Sequence, residues 1–167
     1  MRPSATAGSD VCLCNINFIY ITLTMQRREG LVHTPQQLAY VGDAVWSLHV
    51  RCKYLSPPKN FASYRTAAER HVNAARQSYY LDRLLAGGWR LSPEEARLVH
   101  WAKREMSDPR FRPKYSAAGG QQGTYRNATA FEAVIGHLSL EDPPRLQKLL
   151  QHLEPHLDAN DARDAKQ

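Results

Sequence analysis

The spacing of apolar residues from Pro35 onward constrains the fold of this chain most. Apolar side chains recur at intervals of three and four residues, and proline and glycine lie mainly between these segments. Such spacing places the apolar side chains of a segment on one face of a helix. We therefore predict an all-α domain whose apolar stripes face a common core. In the first helix the stripe consists of Leu38, Val41, Val45, Leu48 and Cys52.

Capping residues indicate where helices begin. Thr34 precedes Pro35 at a first helical position, and Ser92 precedes Pro93 in the same way. Glu95, three residues after Ser92, completes a capping box, so we interpret this acid as a cap and not as a catalyst. The expected helices are residues 35 to about 56, 61–85 with one break allowed, 92–102, a segment through residues 131–138, and 143–153.

A loop with a basic bias is expected between the third and fourth of these helices. Residues 107–123 contain two prolines and a Gly-Gly pair, which interrupt helices. A solvated basic face and contact with phosphate groups are both open interpretations of its cations. The basic residues in and around the loop are Lys103, Arg104, Arg110, Arg112, Lys114 and Arg126.

Charge and composition restrict the function classes. The formal net charge of +6 favours a polyanionic partner, nucleic acid first and an anionic membrane surface second. A length of 167 residues suits one domain with a single core. The three cysteines can form neither a closed disulfide framework nor a Cys-x-x-Cys zinc site, which favours a reducing compartment.

Both ends of the chain are expected to lie outside the domain. Residues 1–34 form an N-terminal extension whose first nine residues are basic, small and free of acids, as at the start of an organellar transit peptide. The apolar stretch 11–25 is short for a membrane span, so we expect no anchor. A mis-called start, with Met25 as the initiator, and a strand added to the surface are the alternatives. Residues 156–167 are a polar tail expected to fray, which leaves 35–155 as the domain.

Two carboxylates lie inside apolar helical segments. Asp43 lies in LAYVGDAV, residues 38–45, and Glu132 lies in ATAFEAVIG, residues 128–136. Acidic residues are rarely buried without a positive partner, and neither segment contains Lys or Arg. We therefore hypothesise that they share a metal ion. Gly136, one turn after Glu132, leaves room either for metal-bound water or for tight helix packing.

Three ordered segments resemble the ribonuclease III catalytic domain and, within that family, the mini-ribonuclease III group. They are LAYVGDAV at residues 38–45, NAARQ at 73–77 and TYRNATAFEA at 124–133. The resemblance covers about residues 36–153, and the sequence ends where a double-stranded RNA-binding domain would begin. It implies the all-α ribonuclease III endonuclease fold and Mg²⁺-dependent hydrolysis of double-stranded RNA by a homodimer, leaving 5′-phosphate and 3′-hydroxyl ends.

The resemblance also implies roles for individual residues. Asp43 and Glu132 would be the catalytic carboxylates that hold Mg²⁺. Gln36 and Thr129 stand where further acids are expected. Their oxygens can hold metal-bound water but add no charge, so we predict one Mg²⁺ per site. Tyr40 matches an aromatic that packs across the subunit interface, and an ordinary core tyrosine is the alternative.

The expected function is a Mg²⁺-dependent endoribonuclease that cuts structured RNA, with precursor large-subunit ribosomal RNA as the implied substrate during ribosome maturation. One alternative is a catalytically silent RNA-binding protein of the same fold. The other is an unrelated helical adaptor, which would not explain three ordered matches. The expected compartment is the chloroplast for a plant or algal source and the bacterial cytoplasm otherwise.

Other side chains with chemical potential receive structural interpretations. The two histidines have a spacing that resembles a zinc site, but no third ligand is nearby and Pro155 is expected to interrupt their helix, so we predict that they are solvated. The tryptophans are predicted to pack in the core, because a duplex hides the bases on which they could stack. These residues are His152, His156, Trp46, Trp89 and Trp101.

Overall fold

A computed structural model describes residues 33–105 and 121–164. Across these ranges the chain forms six helices and no strand, which confirms the all-α prediction. Predictions that concern residues 1–32, 106–120 and 165–167 lie outside the described residues. The helices are α1 (Pro35–Tyr54), α2 (Phe61–Glu69), α3 (Ala74–Ala86), α4 (Pro93–Glu105), α5 (Gln121–Glu141) and α6 (Pro143–Asp164).

Helices α1 and α5 cross at two glycines in the centre of the fold. A Cβ atom on Gly42 would lie 1.8 Å from the carbonyl oxygen of Glu132, and one on Gly136 would lie 2.0 Å from that of Leu38. Only glycine permits such a close approach of two backbones. The contacts of 42 with 132 and of 38 with 136 show that the two helices run antiparallel. Tight packing is therefore the role of Gly136.

An aromatic cluster fills the space beside this crossing. The Trp46 ring meets Phe131 edge to face at 5.1 Å and Tyr80 at 5.2 Å between ring centroids. Its indole Nε1 donates a hydrogen bond to the His71 carbonyl oxygen at 2.9 Å. Trp46 is fully buried, and Trp89 and Trp101 pack partly buried against the core, as predicted.

The predicted stripe of α1 is largely wrong. Its members after Leu38 are only half-buried, and the side of α1 that enters the core is a different one. The physical reason is the glycine crossing, because the smallest side chains of α1 permit the closest contact with α5 and this contact turns the stripe outward. The buried residues of α1 are Pro35, Leu38, Ala39, Gly42, Trp46, Val50 and Tyr54.

The last helix extends beyond the predicted end at residue 153. It continues to Asp164 with Pro155 inside it, so the tail expected from residue 156 is largely helical. Leu157 is fully buried, and Asp161 accepts a hydrogen bond from the Tyr54 hydroxyl at 2.5 Å. Asp161 also contacts Nε2 of buried His71 at 3.0 Å. These contacts hold the end of α6 against α1. The polar composition of this segment had predicted a frayed tail, because it does not show that Asp161 has partners in the core.

The remaining boundaries follow the turn residues. The second predicted helix is broken once, and Asn73 caps α3 by accepting from the Arg76 N–H at 3.0 Å. Gly87 ends α3, and Gly88 has a positive φ of 84°. Helix α5 begins at Gln121, so the loop expected through residue 123 ends earlier. The exposed Gly123 lowers the stability of α5 by only about 1 kcal/mol relative to alanine, so the helix can begin before this residue.

The capping box that opens α4 is confirmed. The Ser92 hydroxyl accepts from the Glu95 N–H at 3.1 Å, and the Glu95 carboxylate accepts from the Ser92 N–H at 2.9 Å. The same buried carboxylate pairs with Arg145 of α6. Glu95 therefore joins two helices and has a structural role.

Replacing Gly42 or Gly136 by alanine is expected to destabilise the fold by about 3 kcal/mol, because each new methyl group would overlap the backbone of the facing helix. Urea unfolding measures this change. Gly123→Ala is the matched control in α5, since its Cβ would meet nothing within 4 Å. The control should be neutral or stabilising by up to about 1 kcal/mol. If Gly42→Ala were as stable as the wild type, the close crossing of α1 and α5 would be contradicted.

Candidate active site

The crossing of α1 and α5 brings the two predicted carboxylates together. Asp43 directly follows Gly42, which packs on the backbone of Glu132. Asp43 is exposed and Glu132 is half-buried. The pair thus lies at the edge of the core, where one carboxylate meets solvent and the other is partly withdrawn from it.

A third side chain, Gln77 of α3, contacts both carboxylates. It is only 2% exposed. Its Nε2 donates to Asp43 Oδ1 over a long 3.5 Å contact, and its side chain is also hydrogen-bonded to Glu132. Gln77 is the last residue of the NAARQ segment, but no site role was predicted for it from the sequence. Its position in that matched segment was the available signal.

The surroundings of Glu132 disfavour its charged form. Burial raises the pKa of its carboxyl group to about 7, the negative charge of Asp43 acts in the same direction, and the hydrogen bond from Gln77 opposes both. Two like charges at a partly buried position are the arrangement that a bound cation would relieve.

The donor set fits Mg²⁺. Mg²⁺ prefers hard oxygen ligands and keeps several of its waters, so one or two carboxylates are enough on the protein side. Asp43 and Glu132 supply that number. Among the described residues, no group of three or more His, Cys, Asp or Glu side chains is arranged to hold a metal ion.

The two residues predicted to hold metal-bound water lie at different distances from this pair. Thr129 is buried one turn before Glu132 on α5, which keeps it near the pair. Gln36 is half-buried and lies two turns before Asp43, about 10 Å along the helix axis. Both outer-shell roles remain predictions, and the geometry favours Thr129.

Tyr40 is not a core residue. Its side chain is 85% exposed on α1, which contradicts the core alternative. The interface role therefore stays as the prediction for this residue.

Of the six basic side chains predicted to contact RNA, the structure describes two. Arg104 is exposed at the end of α4, and Arg126 is half-buried on α5, less than two turns before Glu132. Arg110, Arg112, Lys114 and the side chain of Lys103 lie outside the described residues, so the RNA contacts stay predictions.

The prediction that His152 and His156 are solvated is wrong. Both are half-buried, because α6 continues through Pro155 and keeps them on one packed face. His152 lies 5.6 Å from Trp89 between ring centroids, and the two histidine rings lie 6.3 Å apart. They serve packing between α6 and the rest of the fold.

Comparisons with known proteins agree with this fold. The protein-family model of the Ribonuclease III domain matches residues 36–143 of this sequence. Mini-ribonuclease 3 of Thermosynechococcus vestitus is 37% identical over 123 residues, which cover 74% of this chain and 75% of that protein. Mini-ribonuclease 3 of a Synechocystis species is 32% identical over 121 residues, or 72% of this chain and 78% of that protein. The crystal structure of protein FN1578 from Fusobacterium nucleatum superposes with a TM-score of 0.59 at 26% identity, covering 71% of this chain and 89% of that one.

The chain therefore belongs to the ribonuclease III domain family, and it is an endoribonuclease of that class. Its relatives place it, within the family, in the mini-ribonuclease III group. The unrelated helical adaptor is thereby excluded. Every helix in the described part of the chain is too short or too polar to cross a membrane.

The pKa of Glu132 predicts a pH-dependent stability without metal. Its folded-state pKa of about 7 exceeds the ordinary value of 4.5, so the folded state binds the extra proton between these values and loses stability as the pH rises through that window. In EDTA at pH 8, the free energy of unfolding of Glu132→Gln should exceed that of the wild type by about 2 kcal/mol. At pH 4.5 the two free energies should be almost equal. Thermal unfolding at both pH values tests this.

Glu69→Gln, an exposed carboxylate of α2 that pairs with Arg65 one turn earlier, is the control and should alter stability by less than about 0.5 kcal/mol at either pH. An unchanged or reduced stability of Glu132→Gln at pH 8 would show that the Glu132 carboxylate does not lie in the environment described above.

Proposed function

We propose that this endoribonuclease is Mg²⁺-dependent and cuts double-stranded regions of structured RNA, leaving 5′-phosphate and 3′-hydroxyl ends. The observation that carries the proposal is the pair Asp43 and Glu132 at the crossing of α1 and α5, where burial and the charge of Asp43 both raise the pKa of Glu132. Precursor large-subunit ribosomal RNA is the proposed substrate, on the strength of the mini-ribonuclease III membership.

Asp43 and Glu132 would hold the metal through their carboxylate oxygens. When bound, Mg²⁺ supplies an activated water, neutralises charge on the scissile phosphate and assists the departing 3′ oxygen. Asp43 is exposed, so a phosphate in solution can reach it. Half-buried Glu132 must give up its proton to act as a ligand, and its backbone is fixed by the packing of α5 against α1.

Basic side chains would bind the RNA backbone. A-form RNA is recognised mostly through phosphates and 2′-hydroxyls, so cations without a base-reading motif suit this substrate. The net charge of +6 agrees with such a partner. The proposed phosphate contacts are Lys103, Arg104, Arg110, Arg112, Lys114 and Arg126.

We also propose that the enzyme acts as a homodimer joined through α1. Val41, Val45, Leu48 and Cys52 are only half-buried, and Leu55 just after the helix is 58% exposed. Tyr40, about a quarter of a turn round α1 from Leu48, is 85% exposed. An apolar helix face at core-like spacing that remains partly open in one chain is suited to burial by a partner. A second copy related by a two-fold axis would present the same face and place two active sites opposite the two RNA strands.

For the compartment, we propose the chloroplast for a plant or algal source and the bacterial cytoplasm otherwise. The Mini-ribonuclease 3 relatives from Thermosynechococcus vestitus, a Synechocystis species and a Thermoanaerobacter species are all bacterial proteins, which agrees with the second case. Residues 1–34 would carry the import signal in the first case.

Asp43→Asn should abolish cleavage, because the metal loses the charge of one of its two carboxylates. The assay incubates a structured ribosomal RNA precursor with and without Mg²⁺ and maps the ends. Glu69→Gln, an exposed carboxylate of α2, is the matched control and should retain wild-type activity. Staggered Mg²⁺-dependent cuts by the wild type and by Glu69→Gln, and none by Asp43→Asn, support the proposal. Tight RNA binding without any cleavage would point instead to the silent RNA-binding alternative.

Tyr40→Asp should convert the dimer to a monomer, because it places a charge in the proposed apolar interface. Sedimentation equilibrium measures the mass of each variant. Leu85→Asp is the control, since Leu85 is an exposed apolar residue of α3, away from this face, at 48% exposure. The control should stay dimeric. A wild type that is monomeric at every concentration would refute the interface.

A further inference from the structure

The backbone of Gln77 is fixed in the first turn of α3, and this fixes where its side chain begins. Its N–H donates to the Asn73 carbonyl oxygen at 3.0 Å, in the first turn of α3, and the Asn73 side chain caps that turn. The side chain then points into the space between α1 and α5. It is 2% exposed, so its amide must find protein partners there.

The partners of this amide are the two candidate metal ligands. Nε2 donates to Asp43 Oδ1 at 3.5 Å, and the side chain is also hydrogen-bonded to Glu132. A side-chain amide carries two N–H donors, so it can serve one carboxylate with each. Three helices thus contribute one side chain each to the cluster: Asp43 from α1, Gln77 from α3 and Glu132 from α5.

A neutral donor at this place has a specific physical effect. Two adjacent carboxylates repel one another and would otherwise rotate apart in the absence of a cation. The amide supplies a hydrogen bond to each without adding charge, so both oxygens stay directed at the same region. A metal ion entering that region then meets ligands that are already oriented.

We propose that Gln77 is a positioning residue that holds the Asp43 and Glu132 carboxylates at the spacing a divalent cation requires. The proposal rests on the function proposed above, in which these carboxylates bind Mg²⁺. Gln77 itself contacts neither the reacting atoms nor the metal in this account, and it acts through the two acids.

The direct test measures Mn²⁺ binding by electron paramagnetic resonance, without RNA and without turnover. Gln77→Met keeps the length and removes both donors, and it should weaken Mn²⁺ binding about tenfold or more, the size expected for loss of a group that orients metal ligands. Gln151→Met, an exposed glutamine of α6, is the matched control and should bind like the wild type.

Kinetics give a second readout that a merely structural role would not produce. Gln77→Met should raise the Mg²⁺ concentration for half-maximal cleavage by about tenfold, while kcat at saturating Mg²⁺ and the KM for RNA change less than about threefold. An equal loss of kcat at every Mg²⁺ concentration would overturn the positioning role.

The outcomes separate this proposal from the one on which it rests. If neither the wild type nor any variant binds Mn²⁺, the proposed metal site itself fails. If the wild type binds Mn²⁺, Asp43→Asn does not, and Gln77→Met binds like the wild type, the metal site stands and the role of Gln77 is refuted. Should Gln77→Met not fold, Gln77→Asn decides the question. This shorter side chain keeps the amide but cannot reach both carboxylates, so Mn²⁺ binding should weaken several-fold, and an unchanged affinity would overturn the proposal.

Discussion

The close contact of α1 and α5 through Gly42 and Gly136 determines most of what the protein can do. Because no side chain separates the two backbones, the residues beside the glycines are forced into proximity. On the core side this places Trp46 against Phe131. On the outer side it places Asp43 beside Glu132. The stability of the fold and the geometry of the candidate active site therefore depend on the same contact between α1 and α5.

The site opposes the stability that the crossing provides. A half-buried carboxylate next to another negative charge is unfavourable until a proton or a cation neutralises it. Gln77 relieves part of this cost with hydrogen bonds and leaves the rest to a cation. Contacts elsewhere hold the helices in place, among them Glu154 of α6, which pairs with Lys53 at 2.5 Å and His49 at 3.1 Å on α1. The pair can remain strained because the surrounding packing fixes the backbone.

The sequence predicted the parts of this structure that local chemistry determines. The Ser92 capping box and the end of the second predicted helix near residue 85 depend on neighbouring residues and are found as expected. The core face of α1 was predicted wrongly, because periodicity identifies an apolar stripe but cannot say whether the core or a partner covers it. Asp161 and Gln77 were missed because their partners lie on other helices, distant in sequence, and a polar residue in a helix usually faces solvent.

The central claim is that the glycine crossing builds a metal site from Asp43 and Glu132. Anomalous diffraction from crystals soaked in Mn²⁺ tests it most directly, because the signal locates the ion independently of activity. The account predicts an anomalous peak within bonding distance of both carboxylates, and its loss in Asp43→Asn. A wild-type crystal without a peak between these residues, at a Mn²⁺ concentration that supports full RNA cleavage, would contradict it.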